Sequence, residues 1–209
     1  MEKIGGWAAA LLCSVAVAIA GCGKGEEKFR AQLDPVVARI SERMAAAAGL
    51  ASAAPAQVLE RAGTLNTDLA GLGADLKGLY VDGDKQRSLV AAGQAYQSAA
   101  QRLVQAQQEF ARARAKLAAA NAKVKESLDA KVRTSKFSMD FWKESHDRFV
   151  SEADKVRKET AAGRDRLAAA LSGAQQAVDA AGAVLGSAAV LKPGVIADQR
   201  KALEAVALD

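Results

Sequence analysis

Apolar residues recur along this chain with helical spacing, and the pattern is cleanest from Asp82 onward. Leu89, Tyr96, Leu103, Phe110, Leu117 and Val124 follow one another every seven residues. An alanine stands three positions after each of the first five: Ala92, Ala99, Ala106, Ala113 and Ala120. A large residue at one seam position and a methyl at the other marks a coiled coil whose backbones approach closely. The spacing predicts a helix over 84–133. A second seam, from Trp142, His146, Phe149 and Ala153 through Val156, Thr160, Gly163 and Leu167 to Ala170, Ala174, Ala177 and Ala181, again alternates steps of three and four. It predicts a helix over 139–190, closed by Pro193-Gly194. Between the two arms, residues 134–138 hold three hydroxyl side chains. They read as a turn, with Ser138 as cap and Asp140 in the following first turn. The arms are expected to fold back as an antiparallel hairpin.

Shorter helices precede them. Val58, Ala62, Leu65, Leu69, Leu72, Leu76 and Leu79 make a third seam that ends at Asp82-Gly83-Asp84. Gly71, Gly73 and Gly78 lie within it, each costing roughly 1 kcal/mol, so this helix is expected to fray or bend. Asp34-Pro35 reads as a cap with proline in the first turn. The first helix is therefore expected over 35–50, with Val36, Ile40 and Met44 on one face, and Pro55 restarts the chain. A last amphipathic piece, 195–207, carries Ile196, Leu203 and Val206. The first two helices are half the length of the hairpin arms and can cover only the half nearer the N-terminus. The expected architecture is all-α: an elongated antiparallel helical bundle with a long Ala-rich coiled-coil hairpin, in which residues 111–166 project as a two-stranded tip.

Composition sharpens this reading. Alanine, glutamate, lysine, leucine and arginine supply 110 of the 209 residues, with three prolines and 4% aromatics. That bias argues against Rossmann, TIM-barrel and β-sandwich enzymes, whose strands need β-branched and aromatic residues. Two cysteines exclude a disulfide-rich scaffold or a multi-cysteine metal site. The chain has no GxSxG, HExxH, CxxC or phosphate-cradling glycine loop. The one histidine, His146, lies on a seam between Trp142 and Phe149, the place of a packing residue rather than a ligand or base. No catalytic residue, metal site or cofactor is expected. Gly182 and Gly186 form a GxxxG, read as close packing within the bundle, because Gln175, Gln176 and Asp179 interrupt the apolar run needed to span a bilayer.

The N-terminus carries an address. Residues 4–21 are uncharged and mostly apolar, and they end in Ile19-Ala20-Gly21-Cys22. This tetrapeptide resembles the lipobox of bacterial lipoproteins: a branched aliphatic residue, two small residues and cysteine. The resemblance implies that the Cys22 thiol receives a diacylglycerol, that residues 1–21 are removed, and that the new amine is acylated, commonly with palmitate. It implies a division into a cleaved signal (1–21), a lipidated N-terminus and tether (22–34) and a single helical domain (35–209). Gly23 stands where, in lipoproteins of two-membrane bacteria, an aspartate would favour the inner membrane. The implied location is the outer membrane facing the periplasm, with the cell surface or a single-membrane host as alternatives.

Charge and aromatics point to the tip. Residues 111–166 hold 15 lysines and arginines against 9 acids, net +6, whereas the rest of the processed chain holds 13 against 14. The bland reading is a solvated face of mixed pairs; the sharper one is an electrostatic footprint for an anionic partner. Four of the eight aromatics of the processed chain fall in 137–149. Phe137 and Phe141 lie off the seam beside Arg133, Lys136 and Lys143, so these five are the candidate partner-binding residues. The expected function is that of a lipid-anchored envelope lipoprotein acting as a structural or adaptor protein through the tip. Its partners would be the membrane through the lipid, and an envelope protein, peptidoglycan or anionic lipid at the tip. Nucleic acid fits the charge but not the compartment, and self-association stays open. Alternatives are a helical protein that binds anionic lipid, or an accessory subunit of an envelope export machine.

Overall fold

The computed structural model describes residues 24–131, 139–186, 190–192 and 194–207. They form an all-α bundle of α1 (Lys24–Ala48), α2 (Pro55–Gly78), α3 (Asp84–Lys131), α4 (Met139–Leu185) and α5 (Val195–Glu204). The heptad positions Leu89, Tyr96, Leu103, Phe110 and Leu117 are buried along α3, as their spacing predicts. A second stripe is buried beside them: Val90, Gly93, Gln97, Ala100, Val104, Gln107 and Ala111. Helix α3 packs on α4, α2 and α1, and Gln97 and Gln107 of the second stripe reach α2 and α1, so α3 is the central helix rather than one half of a simple pair. The two glutamines hide that stripe from a hydropathy reading. Each is buried because its amide finds a backbone carbonyl: Gln97 Nε2 donates to Leu69 (2.8 Å) and Gln107 Nε2 to Ala47 (3.1 Å). Gly73, expected to weaken α2, makes room for the first of these, since a Cβ there would lie 3.0 Å from Gln97 Nε2.

Side-chain pairs give the helix directions. Lys85 meets Glu26 (2.7 Å) near one end of α3 and Gln107 reaches Ala47 further on, so α1 runs parallel to α3. Glu109 pairs with Arg166 (3.4 Å) and Lys123 with Glu152 (3.8 Å), so α4 runs antiparallel. Arg43–Asp68 (2.8 Å) and Arg39–Asp75 (3.7 Å) join α1 to an antiparallel α2. Apart from Glu26, Arg43 and Asp68, which are half-buried, the partners of these ion pairs are exposed at the surface, so the pairs report register more than stability. The α2 seam is buried from Val58 to Leu76 as expected, and Pro55 occupies its first turn.

Several expectations are corrected. Helix α1 begins at Lys24, so Pro35 lies inside it and residues 24–34 are not a tether. Phe29 and Leu33 extend the α1 seam into the core, at 4% and 0% exposure. Pro35 lies on the exposed side, where water can satisfy the Ala31 carbonyl that lacks its helical partner. Tertiary burial therefore overrides the local Asp-Pro start signal. Helix α4 stops at Leu185 instead of near 190: Gly186 takes a left-handed φ of +94° and its N–H bonds the Gly182 carbonyl (3.2 Å). A Cβ on either glycine meets nothing within 4 Å, so the GxxxG is a helix stop and not a packing motif. Helix α5 is correspondingly short, ending at Glu204, and it lays Ile196 and Leu203 back on α4 and α1. Arg30 closes this end, its Nη1 donating to the Leu185 carbonyl (2.7 Å) at the negative end of α4.

Tyr96 ties the bundle together at its centre. Its side chain is 1% exposed, and its hydroxyl bonds Ser41 Oγ on α1 (3.0 Å) and accepts the Leu191 N–H between α4 and α5 (3.2 Å). Burial pushes the phenol above its ordinary value, and the two hydrogen bonds only partly oppose this. The folded state thus holds its proton more tightly than the unfolded state does. Stability from this group is complete below about pH 10 and falls as pH rises further, because the unfolded chain ionises first. Tyr96→Phe is expected to cost about 1–2 kcal/mol at neutral pH, because the Leu191 N–H loses its acceptor and the Tyr96–Ser41 bond is lost. In urea titrations that difference should shrink above about pH 10; a constant difference would show that the phenol is not protected.

Candidate docking surface at the hairpin tip

The α1–α2 connection reaches α3 at Arg114, whose Nη1 donates to the Ala53 carbonyl (2.7 Å). Ala111 and Leu167 are still buried at that level, so the two-stranded part begins a few residues later than the sequence suggests. Beyond it, among the described residues, α3 buries only Leu117, Ala120 and Ser127, and α4 only Ala153 before Thr160. From Arg114 to Lys131 the hairpin projects by about 26 Å at 1.5 Å per residue.

Two strands alone cannot bury bulky side chains, and the tip uses polar bonds to order them. The Trp142 indole N–H donates to the Ser127 carbonyl across the hairpin (2.6 Å). Ser127 Oγ donates to Val124 (2.6 Å), which leaves it to accept from His146 Nδ1–H (2.7 Å). His146 stacks on Trp142 with centroids 5.0 Å apart and planes 12° from parallel. Lys131 Nζ lies 5.0 Å from the indole centre, and the Arg148 guanidinium covers Phe149 at 5.5 Å. His146 is therefore held as a seam residue, in keeping with its spacing.

Next to this cluster, α3 and α4 enclose an open groove of about 420 Å³. Phe141, Trp142 and Phe149 supply its apolar surface, and Lys123 and Glu126 stand on its rim. Trp142 and Phe149 are half-buried, while Phe141 is 75% exposed. Among the described residues of the hairpin none covers that ring. Of the five candidate binding residues, Phe141 lines the groove, and Lys143 is exposed on the same helix without lining it. Arg133, Lys136 and Phe137 lie outside the described residues, as does Cys22. Sequence reasoning missed Ser127, Lys123 and Lys131, whose roles depend on which α3 residue stands opposite which on α4.

Among the described residues no three His, Cys, Asp or Glu side chains group to hold a metal ion, and no helix is long and apolar enough to cross a membrane. Comparison with known proteins gives no match at the level of family model, curated protein or solved structure. The geometry of the tip therefore carries the functional argument.

Proposed function

We propose that this protein is a lipid-anchored envelope adaptor, held to the membrane at Cys22 and binding a partner protein in the aromatic groove at the far end of its hairpin. The observation that carries this reading is the separation of two unlike ends. The chain enters α1 beside Lys85, and the groove, lined on α3 by Lys123 to Ala130, opens toward the opposite end of α3, about 57–68 Å away at 1.5 Å per residue. A rod with an anchor at one end and exposed aromatics at the other suits bridging, not chemistry. Gly23 after the lipobox cysteine favours an anchor in the outer membrane, facing the periplasm. An accessory subunit of an export machine would use the same geometry, since its partner would also be a protein.

Binding of anionic lipid by the tip is the second reading, and the net charge of +6 over 111–166 favours it. The concave groove speaks for the first, because a pocket between two helices receives an inserted side chain better than it meets a flat bilayer. The test reverses two exposed cations that flank the aromatics, Lys131→Glu with Lys143→Glu. Recovery of the partner in affinity capture from the envelope should fall about tenfold or more as steering and complementarity are lost, with helicity unchanged. Unaltered recovery would assign those lysines to a solvated face.

A further inference from the structure

The opposite end of the bundle carries a second exposed aromatic. Tyr80 lies in the connector between α2 and α3 and is 82% exposed, the largest exposure among the bulky apolar side chains described. It borders a shallow groove shared with Gly25, Lys28 and Phe29 of the first turns of α1. Its neighbours in the connector, Leu79 and Val81, pack partly against the core, so the chain has turned Tyr80 alone outward. Nothing in the packing of the described residues requires an aromatic ring there.

The start of α1 says what lies beyond it. Only Gly23 separates Cys22 from Lys24, the first residue of α1, and two extended residues span at most about 7 Å. A flexible tether of thirteen residues would let the bundle stand away from the bilayer; the helix removes it. Lipid on Cys22 would hold the first turn of α1, and with it the α2–α3 connector, at the level of the headgroups. We propose that this end of the bundle is a membrane-contacting face, with Tyr80 seated among the phospholipid headgroups. The inference rests on the anchor reading above. Tyrosine suits that position, with a ring that favours the apolar side of the interface and a hydroxyl that stays hydrated.

The charges around it are mixed. Lys28, Lys77 and Lys85 are interspersed with Glu26, Glu27 and Asp82, and Lys85 is already paired with Glu26 at 2.7 Å. This face therefore depends on the anchor and the aromatic ring, and not on anionic lipid. Its contact should survive high salt, unlike a contact made by the basic tip. Because the bundle is fixed at its base, the hairpin presents its groove at a set height above the membrane.

The test uses the full-length gene product purified from membranes and reconstituted into phosphatidylcholine vesicles, some with acyl chains brominated close to the headgroup. The processed chain has one tryptophan, Trp142, which reports the tip. A second protein carrying Tyr80→Trp with Trp142→Phe reports the base. The base indole is expected to show blue-shifted emission that is lost in the brominated vesicles at low and high salt alike, while Trp142 in the parent protein is unaffected. Intact mass reports lipid on Cys22 in the same samples. Lipid present with the base indole unquenched would overturn the membrane face alone. Absence of lipid from Cys22 would overturn the face together with the anchor.

Discussion

Exported behind an ordinary cleavable signal, the Cys22→Ser protein is expected in the soluble fraction of the envelope, while the parent protein stays wholly with the membrane. The expected effect is close to all-or-none. Each buried methylene of an acyl chain contributes about 0.8 kcal/mol, so two or three chains hold a protein far more firmly than one. Among the described residues no helix could substitute as a membrane span. Tyr80 is a single ring on a face of mixed charge, and alone it would not retain the protein. Replacing the native signal matters, because an uncut apolar segment over 4–21 would itself act as an anchor. Fractionation with intact mass on both proteins decides the matter. A Cys22→Ser chain that has lost its signal and still sediments with membranes would contradict the anchor.

The second large effect separates two adjacent aromatics. Phe141 is 75% exposed, so Phe141→Ala should leave thermal stability within about 0.5 kcal/mol of the parent. Partner affinity should nevertheless fall by about 2 kcal/mol, roughly 30-fold, as an aromatic anchor is removed from the centre of the surface. Trp142 is different. It fastens α4 to α3 through the Ser127 carbonyl and supports both His146 and Lys131. Trp142→Ala should cost the distal hairpin about 2–3 kcal/mol, below the 3–5 kcal/mol of a fully buried tryptophan. That loss should appear as faster amide exchange in 117–131 and 139–153, with protection around Tyr96 and Leu103 retained, because the base packs independently. If both variants lost affinity and stability in equal measure, the groove would be a structural feature and not a docking surface.

The parts of the fold legible in the sequence are those in which apolar spacing and burial coincide. The leucine ladder of α2 names its buried residues from Val58 to Leu76, and the large heptad residues of α3 from Leu89 to Leu117 are buried, while the alanines Ala92, Ala99, Ala106 and Ala113 are half-buried and a second buried stripe escapes the heptad count. Asp82-Gly83-Asp84 marks the α2–α3 boundary, and Gly83 adopts φ +106° there. Apart from the early end of α4, set locally by Gly186 at φ +94°, the departures below share one cause, a local signal overruled by tertiary context. Asp34-Pro35 looks like a helix start until Phe29 and Leu33 are seen to need burial. Gln97 and Gln107 look like surface residues until Leu69 and Ala47 offer them carbonyls. At the tip, Phe141 could be singled out because it lies off the seam. Ser127 could not, since its value depends on standing opposite Trp142 and His146 across the hairpin.

The adaptor role turns on whether a protein occupies the groove in the living cell. Photo-crosslinking answers this directly, with the reactive side chain placed at Phe141, exposed on the groove and free of any part in the hairpin core. A discrete adduct with one other envelope protein, lost in the Lys131→Glu, Lys143→Glu background, is the expected result. An anchored, folded protein that gives no protein adduct from this position, or only an adduct with itself, would contradict it.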